Sequence, residues 1–148
     1  MEPILPGKIQ GIPNNFYRVS IKGLILDKTR TKFAILFEEN GWWELPGGGL
    51  DWGESPADCL RREFQEEMGL TITKMAQSPS YILVGENMRG NWTLNVIYEV
   101  EVENLNFTPS DECQEIRFVA PEEIKSLPAF RTVKELGEQF NPKNHLKP

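Results

Sequence analysis

The chain has 148 residues, 39% of them hydrophobic and 26% charged, with a formal net charge of −6 and a pI near 4.9. That length suits one domain with its own core, and the acidic balance disfavours long RNA or DNA, whose phosphates repel such a surface. No apolar run approaches the ~18 residues of a membrane span and no leader-like segment is present, so a cytoplasmic protein with no membrane partner is expected.

Residues 1–15 hold three prolines and two glycines without periodicity and read as an irregular arm. From Phe16 to Leu26 the chain is strand-like, with Val19, Ile21, Gly23 and Ile25 at alternate positions. A polar turn over Asp27–Thr31 leads to a second strand, Lys32–Glu38, expected to form a hairpin with the first. After a turn at Glu39–Gly41, a short strand over Trp42–Leu45 ends at Pro46, with Trp43 assigned to the core. Pro46-Gly47-Gly48-Gly49 then bends the chain; no Gly-Lys-Ser/Thr follows, which argues against a P-loop.

The next stretch carries the strongest helix signals. Ser55 is a candidate N-cap, Pro56 suits the first helical position, and Gly69 marks the stop. At about 100° per residue, Ala57, Leu60, Arg61, Phe64 and Met68 form one stripe. Glu63, Glu66 and Glu67 fall beside it, with Cys59 near the same arc. As a stability device this arc is poor, because Glu63 and Glu67 repel at i, i+4 and the last helical turn disfavours anions. A hard divalent cation reverses that argument, since such ions take carboxylate oxygens and bridge them to phosphates. Cys59 and Cys113 are too few for a disulfide framework and lack metal-pair spacing, so both are expected as thiols.

Beyond Leu70, strands are expected over Thr71–Ala76 and Ser80–Val84, then a loop over Gly85–Gly90. Asn91–Val102 reads as a long half-buried strand with Trp92, Leu94, Val96, Tyr98 and Val100 on its buried face. A last strand spans Glu115–Ala120, Pro121 opens a short helix, a second helix covers Ala129–Gln139, and residues 141–148 read as a frayed tail with a solvated His145. Strands before and after one central helix, with a helical C-terminus, predict an α+β fold: an α/β/α sandwich with a mixed sheet in a single domain over residues 1–148.

The spacing of Gly48, Glu54, Arg62-Glu63-Phe64, Glu66-Glu67 and Gly69-Leu70 resembles the signature box of the Nudix hydrolases, G-x5-E-x7-R-E-U-x-E-E-x-G-U, with every position matched. With seven fixed residues at ~7% usage each, a chance match is on the order of one in ten million. The resemblance implies the same sandwich fold and hydrolysis of a nucleoside diphosphate linked to a moiety X. It implies Mg²⁺ or Mn²⁺ held by Glu63, Glu66, Glu67 and a backbone carbonyl at Gly48, with Arg62 fixing Glu54. The general base in the family varies between a box glutamate and one on a later loop, for which Glu112 and Glu115 are candidates ahead of Glu99 and Glu101. The implied partner is a small nucleoside diphosphate derivative or triphosphate, and family members are often homodimers. For such a substrate Trp42, Tyr81, Trp92 and Phe130 are candidates to stack the nucleobase, although aromatics in strands more often pack a core, and Arg89 is a candidate phosphate contact. The alternative reading is a domain of the same fold that binds nucleotides without turning them over.

Overall fold

A computed structural model describes residues 16–147; the arm expected over residues 1–15 lies outside them. In chain order the elements are β1 (Arg18–Leu24), β2 (Phe33–Phe37), β3 (Trp43–Glu44), β4 (Gly47–Gly49), α1 (Pro56–Met68), β5 (Ile72–Met75), β6 (Tyr81–Glu86), β7 (Trp92–Val102), β8 (Glu115–Val119) and α2 (Arg131–Gln139). Short 3-10 helices span Pro121–Ser126 and Pro142–His145. No described helix is long and apolar enough to cross a membrane.

β1 lies between β4, antiparallel with Ile21 opposite Gly48, and β7, parallel with Ile21 opposite Val96. β5 and β6 both pair antiparallel with β7, which makes this five-stranded sheet mixed. A second, antiparallel sheet has the order β3-β2-β8. The expected hairpin between the first two strands holds only at its turn end, where Leu26 bridges Phe33 and the N–H groups of Asp27 and Ala34 donate to the carbonyls of Lys32 and Ile25. Beyond that, β2 takes its register from β8, with Ile35 opposite Arg117. β4 was expected as a bend; three glycines give no side-chain alternation to mark a strand.

Two cores flank the sheets. On one side Ile21, Leu60, Phe64, Met68 and Val100 bury the apolar stripe of α1; on the other Leu24, Phe33, Ile97, Val133 and Leu136 bury α2. Arg61 is off that stripe, exposed and near Asp58, while Cys59 is buried in its place. α1 begins and ends as its sequence dictates. Ser55 Oγ accepts from the Asp58 N–H at 3.1 Å, and Gly69, at φ 66°, closes the last turn.

On β7 the more buried face is the opposite of the expected one: Thr93, Asn95 and Ile97 are buried, and Trp92 is exposed. That face looks toward α2, whereas α1 covers only part of the other. The C-terminal segment is not frayed over Pro142–His145, and His145 is 3% exposed. Its Nε2 lies 2.7 Å from Tyr81 Oη and its Nδ1 3.2 Å from Glu99 Oε2, and Arg30 bonds both Glu99 and the His145 carbonyl. Tyr81 Oη also accepts from the Asn141 N–H at 3.2 Å.

Candidate active site

The glycine strand and the acidic arc of α1 form one unit. Gly47 has φ +117°, and a Cβ there would strike the Ile21 carbonyl of β1, so only glycine fits. This conformation aims the Gly47 N–H at Glu67 Oε1, 2.8 Å away. At Gly48 a Cβ would lie 2.7 Å from the Glu63 carboxylate, so that carboxylate rests directly on bare backbone. Lys22, 7% exposed, donates to the carbonyls of Leu45 at 3.3 Å and Gly47 at 3.1 Å.

Glu63, Glu67 and Glu112 each bring a carboxylate oxygen to within 4.8 Å of the other two. Glu112 arrives from a loop tied to α1 through Ser110, whose Oγ donates to the Glu67 carbonyl at 2.6 Å and accepts from the Glu112 N–H at 3.3 Å. Burial pushes the Glu67 carboxyl well above the usual carboxylate range, against the pull of Lys22 and the Gly47 N–H. Burial also raises Glu63, with Arg62 opposing. The cluster thus gathers more negative charge than its protein partners neutralise, and its all-oxygen donors suit a hard divalent cation.

Arg62 ties the loop to the helix. Nε and Nη2 bond the two oxygens of Glu54 at 2.8 and 2.9 Å, Nη2 reaches the Gly49 carbonyl at 3.1 Å, and Nη1 bonds Glu63 at 2.9 Å. The bonds from Arg62 hold Glu54 at a pKa of about 2. Glu66 is exposed and meets Arg62 Nη1 at 3.3 Å, outside the three-carboxylate cluster. Glu115 is also outside it, 3.8 Å from Arg117. Cys59 Sγ faces the carbonyls of Gly48 and Gly49 at 3.6 and 3.5 Å, and burial with nearby Glu54 pushes its thiol up to about 12.

A cleft of about 410 Å³ opens on the α2 side of β1 and β7, and Arg18, Lys22, Arg89 and Phe130 are among its lining residues. Arg89, a candidate phosphate contact, is thus on the cleft wall. Trp42 reaches the cleft only through Phe130, against which it lies at 5.5 Å between ring centroids. Tyr81 and Trp92 are corrected as base-stacking candidates. Tyr81 is buried in the α2 core, and Trp92 projects from the other face of β7, edge-on to Tyr17 at 6.4 Å. Glu99 is engaged by Arg30 and His145, far in role from a general base. No local pattern marks Lys22 or Ser110 for these roles, because each acts through long-range backbone contacts, and the glycine run marks a bend without telling which glycine meets Glu67.

A family model for the NUDIX domain matches residues 17–140. The chain is 36% identical over 76 residues to an RNA pyrophosphohydrolase of Ruthia magnifica, covering 48% of this chain and 41% of that protein. It is 39% identical over 56 residues to an 8-oxo-dGTP diphosphatase of Proteus vulgaris, covering 35% of this chain and 50% of that protein. These matches span half or less of the relatives' own lengths. The solved structure of a MutT protein from Methanosarcina mazei has the same fold, with a TM-score of 0.73 at 22% identity, covering 90% of this chain and 99% of that one.

Proposed function

The chain belongs to the Nudix family, and from that premise we propose that it hydrolyses the pyrophosphate bond of a nucleoside diphosphate linked to a moiety X, or of a nucleoside triphosphate, releasing a nucleoside monophosphate. The observation that carries this reading is the convergence of Glu63, Glu67 and Glu112 within 4.8 Å beside a glycine strand. Those carboxylates, with the Gly48 carbonyl that the resemblance adds, would hold Mg²⁺ or Mn²⁺, which would supply charge neutralisation of the phosphates and a more acidic bound water. The raised carboxyl groups of Glu63 and Glu67 fit such an ion.

The chain's own residues do the rest. Arg62 clamps Glu54 and the Gly49 carbonyl, keeping the glycine strand and α1 in fixed register. Glu112, the exposed member of the cluster, reaches it from a loop open to solvent and is the group we assign to take the proton of the attacking water. Arg18, which has no carboxylate within ion-pair distance among the described residues, lines the cleft beside Leu50 and attracts the substrate's phosphates. Residues 1–148 are read as one domain serving this site. The 8-oxo-dGTP and RNA named for the relatives set the first substrates to try.

The test is a substrate panel with Mg²⁺, Mn²⁺ or chelator, with products read by mass. It should include nucleoside triphosphates, 8-oxo-dGTP, nucleotide sugars, dinucleoside polyphosphates and a triphosphorylated RNA 5′ end. Metal-dependent release of a nucleoside monophosphate, or from the RNA of pyrophosphate with a 5′-monophosphate left on the chain, supports the proposal. Tight nucleotide binding without turnover across the panel replaces it with the binding-domain reading.

A further inference from the structure

The six polar or charged residues buried among the described residues fall into three places. Glu67 is in the carboxylate cluster and His145 in the C-terminal network; Lys22, Thr93, Asn95 and Thr132 all line the one cleft. Burying polar groups together costs stability unless partners compensate, so such a concentration marks a surface built for a polar ligand.

Three of the four are committed within the protein. Lys22 bonds two carbonyls, and Thr132 Oγ1 donates to Glu44 at 2.5 Å. Thr93 Oγ1 donates to the Gly85 carbonyl at 2.9 Å and accepts from Arg131 at 3.2 Å. Asn95 differs. It is 3% exposed, and its one side-chain bond among the described residues is a long 3.4 Å contact to Thr93. No described side-chain polar atom sealed from solvent lacks a partner, so the Asn95 carbonyl oxygen, which has no partner among the described residues, is not sealed, and Asn95 lines the cleft.

Two apolar side chains stand among the mostly polar and charged lining of this cleft. Phe130 lines the cleft, braced from behind by Trp42, and the exposed Met88 lines it as well. A planar ring against an aromatic wall, with a carboxamide at its edge, is the arrangement that reads a nucleobase. The geometry points to Asn95 as the residue that selects the base of the substrate, pairing a carbonyl acceptor and an N–H donor with a base edge that offers the complementary pair while Phe130 stacks on its face. The inference rests on the nucleotide-hydrolase reading for its substrate class.

The test compares wild type, Asn95→Asp and Asn95→Leu on ATP, GTP, CTP, UTP and base-free ribose 5′-triphosphate. It measures kcat/KM for each and, in parallel, Kd for the α,β-imido analogues of the four nucleotides, which resist cleavage at the α–β bridge, by calorimetry. Wild type should rank the bases and favour the best nucleotide over ribose 5′-triphosphate. Asn95→Leu should cut that advantage by roughly tenfold to a hundredfold, the loss of a pair of buried hydrogen bonds. Asn95→Asp, nearly identical in volume and so the safer variant for folding, should reorder the bases because one donor becomes an acceptor.

Equal losses on all five substrates, with the base order kept, overturn the assignment. So does a wild type that turns over every nucleotide and ribose 5′-triphosphate alike. Base-selective binding of the analogues without turnover sinks the hydrolase reading and leaves Asn95 supported, so the two failures are separable.

Discussion

Arg62 grips both oxygens of Glu54, Nε to Oε2 at 2.8 Å and Nη2 to Oε1 at 2.9 Å, across eight residues of chain. The bidentate pair closes the loop before α1 onto the helix that carries the cluster. Its pH dependence follows in sign. Glu54 is held at about 2 in the folded chain, below its ordinary 4.5. Its contribution to stability is thus fully present above pH ~4.5 and is lost as the pH falls through about 2. Urea midpoints of wild type and Glu54→Gln should run parallel above pH 5 and converge between pH 4.5 and 2. A gap that is constant down to pH 2 would contradict the pairing.

Replacing Glu63 or Glu67 with glutamine keeps shape and removes charge. Turnover should fall by roughly a hundredfold or more in each, the scale of losing an electrostatic contact at a reacting centre. The circular dichroism spectrum should stay that of the wild type. Retained turnover in Glu67→Gln would remove the cluster from the chemistry.

A divalent cation that binds only the folded chain stabilises it by mass action, by about 2.7 kcal/mol at a hundredfold excess over Kd. Mg²⁺ or Mn²⁺ should therefore raise Tm in wild type, and the rise should shrink in Glu67→Gln and in Glu112→Gln. An equal rise in all three would place the ion elsewhere.

The two neighbouring glycines should fail in different ways. Alanine at Gly47 meets the rigid Ile21 carbonyl and a φ of +117°, and should cost at least about 1–3 kcal/mol in a denaturant titration. Alanine at Gly48 meets only the end of the Glu63 side chain, which swings aside; stability should hold while metal binding and kcat fall. Matching stability losses in both would show that Gly48 is structural.

His145→Ala takes one of two partners from Tyr81, which keeps the Asn141 N–H, and one of two from Glu99, which keeps Arg30, and should destabilise by about 1–3 kcal/mol. Tyr81→Phe should reproduce part of that loss. Urea midpoints unchanged in both would return the C-terminal segment to a solvated tail.

What the sequence disclosed and what it hid divide by range. The caps of α1 are local chemistry, so Ser55, Pro56 and Gly69 were legible, and so was the spacing of Glu54, Arg62, Glu63 and Glu67. Arg61 slipped because a 100° stripe does not know where the sheet ends. The partner of β1 was not legible, because an alternating strand pairs as readily with a near neighbour as with β7, and only the packed cores decide. Tyr81 looked like a free aromatic because its partner, His145, lies 64 residues away. Asn95 is not legible in the sequence, because the apolar alternation of β7 marks the opposite face as the buried one.

The parallel register of β1 on β7 has a kinetic side. Ile21 meets Val96 only when the whole intervening chain, box included, has closed a long loop, and such contacts form slowly. The Arg62–Glu54 clamp closes a short loop and needs no such wait. Gly47 and Gly48, by contrast, reach their positions against Glu67 and Glu63 through β4, which is laid on β1. A nascent chain can thus wind its acidic helix early, with the carboxylates unopposed, and only the late docking of β1 completes the pocket around them. Refolding in stopped flow would show the helix signal ahead of any metal-binding signal, with the second rate slowed by Ile21→Ala.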